Sequence, residues 1–595
     1  MRECKKTITT DLCVIGGGLA GVCAAVTAAR RGVRVVLLQD RPVLGGNSSG
    51  EVRMWVRGAS ANFPEHREGG IIEELALEVA HHNPDMNFSV WDGILYNKVI
   101  YEKNITLYLN TTCIGAREKD GRITSVTAWQ LTTYTRLTVR ATAFADCSGD
   151  SVLANFTDAS YRVGREAQSE FGEALAHEKA DTQTMGNSCL IQARETDHHV
   201  SYTPPEFAYH FRDGDMDNRL PGDQPDFSEK LKWENFWWLE IGGEGDSLRD
   251  AGKNNRDLIA YAFGVWDYIK NSGRYNADNW ELDWVGFLAG KRESRRYVGD
   301  VILTENDIEQ NTPFDDEIAY GGWNIDDHPP KGLFAPEGPN RVSKFPAPYR
   351  IPYRATYSAN VDNLWFAGRN VSVTHLALSS TRVMATCAMI GHAVGCAASL
   401  AKKYHTTPRG VGEHIAELQQ VLRDDDCFLT SVPRRPRLNI ENVKTDLTSD
   451  ELLRLTNGIE RRLNDETAPV CIRIGQPLTL EFAPTECRGV RLIFDSDLPR
   501  DYLRRDPVLC EHVALFPMRS NLSRDMRPVP MPPSLVRAYT VEVKSNGKWR
   551  TVKIEDDNFR RHAEIPVRGA VEGIRLTCRG TWGSPDAAVF SVDIV

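Results

Sequence analysis

The residues whose spacing most directly implies chemistry are Gly16, Gly18 and Gly21, in the run DLCVIGGGLAG. They fill a G-x-G-x-x-G pattern, with an apolar strand before it and the small-residue helix CAAVTAARRG after it. Gly16 permits the tight turn, Gly18 lets the backbone approach a pyrophosphate, and Gly21 lets the helix pack closely on the strand. The helix N-terminus that follows offers free N–H groups and a positive dipole end to phosphates. A second apolar strand, VRVVLLQD, comes at βαβ distance, so the pattern reads as a dinucleotide site. The run from Leu12 to Ala29, preceded by Arg2, Lys5 and Lys6, also has the texture of a signal peptide. The ordered glycines and the returning strand argue against that reading.

Other residues carry chemistry further along. A second glycine-rich loop, LGGNSSG, holds Gly45, Gly46, Asn47 and Ser48, which a purely NAD-binding fold does not require. A substrate alcohol or amine that gives up hydride needs a base, and histidine titrates near neutrality. His375 stands six residues after Arg369, and His328 is preceded by Asp326 and Asp327, either of which can orient an imidazole. Each histidine is open to two readings, proton acceptor or hydrogen-bonded structural residue, whereas His392 inside a long helical run reads as structural. Arg292, Arg295 and Arg296 in GKRESRR suit either an anionic substrate or ion pairs that fix a domain, the second being preferred. Of Trp233, Trp237, Trp238 and Trp323, one or two are expected to face a substrate and the rest to pack in a core.

The elements that must position these residues follow from length and pattern. A chain of 595 residues calls for about two to four domains. The net charge of -10 and the absence of a long basic run give no reason to expect nucleic acid or an anionic membrane as partner. Thirteen cysteines without a C-x-x-C pair indicate neither a metal site nor a disulfide framework and favour a reducing, cytoplasmic setting, or a secreted or periplasmic one if a leader is missing. Residues 105–145 read as strands with a hairpin at Asp120-Gly121, and ADCSGD is a strand ending at Gly149-Asp150. NLWFAGR is a last strand ending at Gly368 and Arg369, and one long helix is expected from about Ser380 to Lys402. Ala388, Gly391, Gly395 and Ala398 share a face of that helix and suit close packing on the first nucleotide helix.

At this point the sequence resembles the broad bacterial family of FAD-dependent oxidoreductases, related in fold to glutathione-reductase and fumarate-reductase flavoproteins. The resemblance spans about residues 8–430 and rests on VIGGGLAG, LGGNSSGEVRMWVRGA, REGGIIEE, ADCSGD, WWLEIGG, GKRESRR, YGGWNIDDHPP, PYRIPYR and AGRNVSVTHLALSSTRVMATCAMIGHAVG. It implies FAD as cofactor, held by the glycines named above together with Gly149, Asp150, Gly368 and Arg369. A helix N-terminus near Ser380, Thr381 and Arg382 would then face the pyrimidine edge of the flavin. The second strand ends in Gln39, where an acidic ribose ligand is usual, so the ribose contact is assigned to Gln39 with Asp40 as competitor.

The fold class implied is an α/β Rossmann-like FAD/NAD(P)-binding domain (1–160 and 355–430) with an inserted α+β substrate domain (161–354). A C-terminal all-β jelly-roll sandwich (438–595) follows, similar to discoidin-like, galactose-binding-type modules, with Asn546-Gly547 as a hairpin turn. The expected activity is oxidation of a sugar, glycoside or polyol hydroxyl by hydride transfer to flavin N5, with His375 or His328 as base and Asp326 as orienter. A fumarate-reductase-like enzyme acting on the activated C=C bond of a carboxylate, and a glycan-binding protein on a flavoprotein scaffold, are the alternatives. The expected partners are a small-molecule substrate, carbohydrate by preference, and an electron acceptor the sequence does not identify. No further span of membrane type is expected.

Overall fold

The computed structural model describes residues 3–595 apart from 221–226, 233, 497, 499–515 and 517–520. The chain divides into two compact units. The first comprises Met1–Asn62, Asp85–Ile415 and Phe516–Pro528; the second comprises Phe63–Pro84, Ala416–Leu515 and Val529–Val595.

In the first unit, β1 (Cys4–Ile15), α1 (Leu19–Arg30) and β2 (Val35–Leu38) form the expected βαβ unit. β3 (Ile105–Tyr108) pairs in parallel with β2, and β1 pairs in parallel with both β2 and β6 (Thr135–Asp146). With β4 (Thr111–Lys119) and β5 (Arg122–Gln130) the order is β3-β2-β1-β6-β5-β4, and the strand Leu364–Phe366 adds in parallel to β6. The inner half of β1 and all of β2 are buried, as their unbroken apolar runs require for strands covered on both faces. The β4–β5 hairpin turns at Asp120 and Gly121, both with positive φ, as a two-residue turn demands. These strands converge so that the C-terminal ends of β1, β6 and Leu364–Phe366 lie side by side.

The single helix expected from about Ser380 is two helices, His375–Thr381 and Met384–Tyr404. They break at Arg382-Val383, where Val383 is extended. The break lets Arg382 reach the backbone carbonyl of Asp326 at 3.0 Å. The second helix packs closely on α1 as its small-residue face predicts: a Cβ on Gly391 would lie 2.1 Å from the Ala20 carbonyl oxygen. Met384–Tyr404 is long and apolar enough to cross a bilayer, but 89% of its apolar window is buried inside the protein. Residues of the expected insert form a core around the helix Ala251–Asn271, where Leu258, Val265 and Trp266 meet Phe236, Trp238 and Trp280.

The second unit is an antiparallel six-stranded array with two very long strands, Pro477–Phe494 and His562–Thr581. Their pairing shifts register between Glu481 and Thr485 and again between Cys487 and Gly489. On one side of these bulges Pro477–Glu481 pairs with Gly573–Thr577; on the other, Val490–Ile493 pairs with both Ile565–His562 and Ile594–Ser591. Each long strand thus serves two layers and changes layer at a bulge, the way a sandwich turns its corners. The Asn546-Gly547 turn has positive φ at both residues. The unit also takes in Phe63–Pro84, whose Glu73 carboxylate is buried against Arg67 at 2.9 Å and Arg461 at 2.8 Å.

Candidate functional site

The two glycine loops of the first unit are laid against each other. The Gly45 amide donates to the Gly17 carbonyl at 2.8 Å, and Gly45 and Gly46 both have positive φ. Gly16 also has positive φ, and a Cβ on it would lie 2.5 Å from the Cys147 carbonyl oxygen. A Cβ on Gly21 would lie 1.9 Å from the Gly16 carbonyl oxygen, so only glycine allows this turn. At Gly18, by contrast, a Cβ would meet only the Cα of Gly46, at 3.9 Å. Gly18 is also the N-cap of α1, and it has no side chain to occupy the orphan N–H groups. An open, glycine-walled cradle at a helix N-terminus fits a pyrophosphate.

Other expected cofactor residues serve the cradle in different ways. Gln39 is buried, accepts from the Gly17 amide at 2.7 Å and donates to the Val43 carbonyl at 2.9 Å. Both its polar ends brace the turn, which leaves exposed Asp40 as the better-placed ribose ligand. Ser48 accepts from the Trp91 indole at 3.2 Å, and Asn47 donates to the Lys291 carbonyl at 2.9 Å. Gly149 turns the chain after β6, so that Asp150 meets Arg369 at 2.6 Å, Ser294 at 2.9 Å and the Lys291 ammonium. Burial would raise the Asp150 carboxyl, but Arg369 and Lys291 outweigh it and hold it well below the usual range. Gly368, also at positive φ, places Arg369 there. Lys291 carried no signal of its own in the sequence beyond its place in GKRESRR.

The two candidate histidines are both buried, each 3% exposed, and each sits between two carboxylates. His375 opens the helix His375–Thr381, with Nδ1 2.9 Å from Glu293 and Nε2 3.0 Å from Asp327. Burial would lower its pKa, but Glu293 and Asp327 together push it up to about 10. With both nitrogens at hydrogen-bond distance from a carboxylate and its pKa raised so far, His375 donates twice and is a cation at neutral pH, so it is not available as a base. The expectation of a catalytic His375 is corrected on that ground.

His328 differs in its geometry. Its Nδ1 is 2.8 Å from Glu240, but its Nε2 is a long 3.4 Å from Asp326. The Trp237 ring stands edge-on to it at 5.3 Å. Asp326 and Asp327 separate because they are neighbours on the short strand Ile325–Asp327, where successive side chains point to opposite faces. Asp326 therefore serves His328 and Asp327 serves His375. Asp326 also takes Trp323 Nε1 at 3.3 Å, Arg382 Nη2 at 3.4 Å and Asn340. Burial would raise its carboxyl, but His328 and Arg382 hold it far below the ordinary value. Arg382, expected beside the flavin, faces Asp326 instead.

The arginines of GKRESRR do not converge on an open site. Arg292 pairs with Glu240 at 3.0 Å and donates to the Trp237 carbonyl at 2.9 Å. Arg295 donates to the Asp150 carbonyl at 3.1 Å, and Arg296 meets Glu166 at 2.7 Å and Glu293. They tie the insert to the nucleotide-binding layer. Of the tryptophans, Trp238 is in the core, Trp237 and Trp323 are half-buried beside His328 and Asp326, and Trp233 lies outside the described residues. Glu240 was not singled out in the sequence; it sits in WWLEIGG, and its meeting with GKRESRR and YGGWNIDDHPP is a feature of the fold alone.

Comparison with known proteins matches the model of a family described as FAD dependent oxidoreductase to residues 11–422. Among curated proteins none matches. Similar solved structures include a geranylgeranyl bacteriochlorophyll reductase-like protein of Thermoplasma acidophilum, with 9% identity and a TM-score of 0.30 over 70% of this chain and 84% of that one. An E. coli quinol fumarate reductase shares 15% identity at a TM-score of 0.27, over 70% of this chain and 77% of its own. The family 32 carbohydrate-binding module of Streptococcus pneumoniae EndoD shares 9% identity at a TM-score of 0.18, over 27% of this chain and 97% of that one. At scores this low, family membership rests on the sequence model.

Proposed function

We propose, on the premise that the chain belongs to the family of FAD-dependent oxidoreductases, that it oxidises a hydroxyl of a sugar, glycoside or polyol, with His328 as the proton acceptor. The cofactor is FAD, and when bound it supplies the acceptor for hydride. The α1 N-terminus with Gly16, Gly18, Gly45 and Gly46 would hold its pyrophosphate, and Asp40 its ribose.

One observation carries the assignment of His328: its two nitrogens are held unequally, at 2.8 Å by Glu240 and at 3.4 Å by Asp326. Glu240 fixes the proton on Nδ1, so the neutral ring presents its lone pair at Nε2. A hydroxyl donating to Nε2 can lose its proton there as the carbinol C–H bond breaks and the C=O bond forms. The resulting imidazolium has a carboxylate on each side, Glu240 and Asp326, to stabilise the charge. The half-buried rings of Trp237 and Trp323 beside this nitrogen supply apolar faces of the kind that stack on sugars.

The C=C-reducing alternative needs arginines free to grip a carboxylate. Arg292, Arg295 and Arg296, the arginines the sequence offered for that role, are all engaged with protein groups. Anaerobic mixing of the FAD-loaded protein with candidate sugars tests the hydroxyl reading: bleaching of the oxidised flavin by sugars or polyols is expected. Bleaching by amines alone would overturn it.

A further inference from the structure

We propose that the substrate oxidised here is an acidic sugar, whose carboxylate is held by Arg57 and Arg382 on the far side of Asp326 from His328. The inference rests on the hydroxyl-oxidising reading above and specifies its substrate.

Asp326 divides a small charged cluster. On one side lie His328 and Arg292, both against the same Glu240 oxygen, with Arg292 also donating to Ser188 and the Trp237 carbonyl. On the other side lies Arg382. Its Nη2 donates to the Asp326 carbonyl at 3.0 Å, whereas its Nε is buried with no hydrogen-bond partner. A buried guanidinium N–H left unpaired is costly, and an oxygen ligand offers the missing acceptor. The Asp326 Oδ2 atom does not meet this demand, because Trp323 Nε1 at 3.3 Å and Arg382 Nη2 at 3.4 Å already donate to it.

Arg57 comes to the same place. Its guanidinium lies 5.2 Å from the Trp55 ring and 5.9 Å from the Trp323 ring, and Trp323 is the residue that also donates to Asp326. Burial pushes its pKa down to about 10, so it is still a cation at neutral pH. The Arg57 carbonyl accepts from the Ala385 amide at 3.0 Å, which fixes Arg57 at the start of the helix Met384–Tyr404. That helix has no capping side chain and no acidic residue in its first turn, and Arg382 precedes it by two residues. A hydroxylated ring with one carboxylate matches all of this: the carboxylate at the arginines, the carbinol at His328 Nε2, and the ring against tryptophan.

The test compares matched pairs: methyl glucuronoside with methyl glucoside, and galacturonate with galactose. Anaerobic bleaching of the FAD-loaded protein gives kcat/KM for each, and quenching of tryptophan fluorescence gives Kd. The uronate is expected to lead its neutral partner by about 30-fold or more, with a Kd that weakens as salt rises. Arg57→Gln and Arg382→Gln should each shrink that lead by about tenfold, mainly through KM, while Arg382→Lys restores only part of it because it lacks the planar fork. FAD content and thermal midpoint check that each variant folds. Equal bleaching by both members of a pair would overturn the acidic-sugar inference and leave the hydroxyl reading intact. Bleaching by neither member would overturn both.

Discussion

The two buried histidines look alike in the sequence and behave differently in the structure, and two predictions separate them. His328→Gln should lower kcat by about 10²- to 10⁴-fold, the usual worth of a positioned acid–base group, with FAD still bound. Single-turnover bleaching measures it, and an unchanged rate would remove His328 from the chemistry. His375 should act on stability instead. Its folded pKa of about 10 lies above the ordinary 6.5, so its contribution is complete below about pH 6.5 and is lost as pH rises toward 10. The thermal midpoint of the wild type should therefore fall across that window, and His375→Gln should start lower and lose that part of the slope. A third prediction concerns Gln39. Restoring the usual acidic ribose ligand with Gln39→Glu should not strengthen FAD binding, because it replaces the donor to the Val43 carbonyl with a second acceptor. A destabilisation of about 1–3 kcal/mol is expected by denaturant titration.

At the scale of elements, the nucleotide-binding layer was legible because its signals are local. Glycine spacing, two apolar strands and the Asp120-Gly121 turn each state their conformation within a few residues, and all three are in the fold. The small-residue face of the helix Met384–Tyr404 was legible for the same reason. Gly391→Val should wedge it from α1, since its first carbon would already sit 2.1 Å from the Ala20 carbonyl oxygen. A loss of about 1–3 kcal/mol or more is expected, read as a lower thermal midpoint together with lower FAD content. The break at Arg382-Val383 was not legible, because the residues on both sides are compatible with helix and the cause lies in Asp326, 56 positions away. The partition of Asp326 and Asp327 between two histidines was equally hidden. Local sequence offered both as orienters; only the alternation of a three-residue strand assigns one to each.

At the scale of the molecule, the chain is not a string of consecutive modules. The antiparallel unit includes Phe63–Pro84, whose Glu73 is buried with Arg67, Arg461 and Arg561. Nothing near residue 73 in the sequence announces a partner almost four hundred residues away. Residues 438–595 expressed alone should therefore fail to give the cooperative unfolding seen for that unit in the full chain, because Arg461 and Arg561 lose their buried carboxylate. Burial would raise the Glu73 carboxyl, but Arg461, Arg67 and Arg561 hold it well below the ordinary range. Its contribution is then present above about pH 4.5 and lost as pH falls further, and Glu73→Gln should reproduce the acid form at neutral pH.

If FAD and His328 together oxidise a hydroxyl, anaerobic single-turnover bleaching of the FAD-loaded protein reads both roles in one experiment. Wild type and His328→Gln are each mixed with a uronate and its neutral sugar. Bleaching of the wild type by a hydroxylated ring is expected, slowed by about 10²-fold or more in the variant. A wild-type flavin that stays oxidised with every sugar, or a variant that bleaches as fast as the wild type, would contradict it.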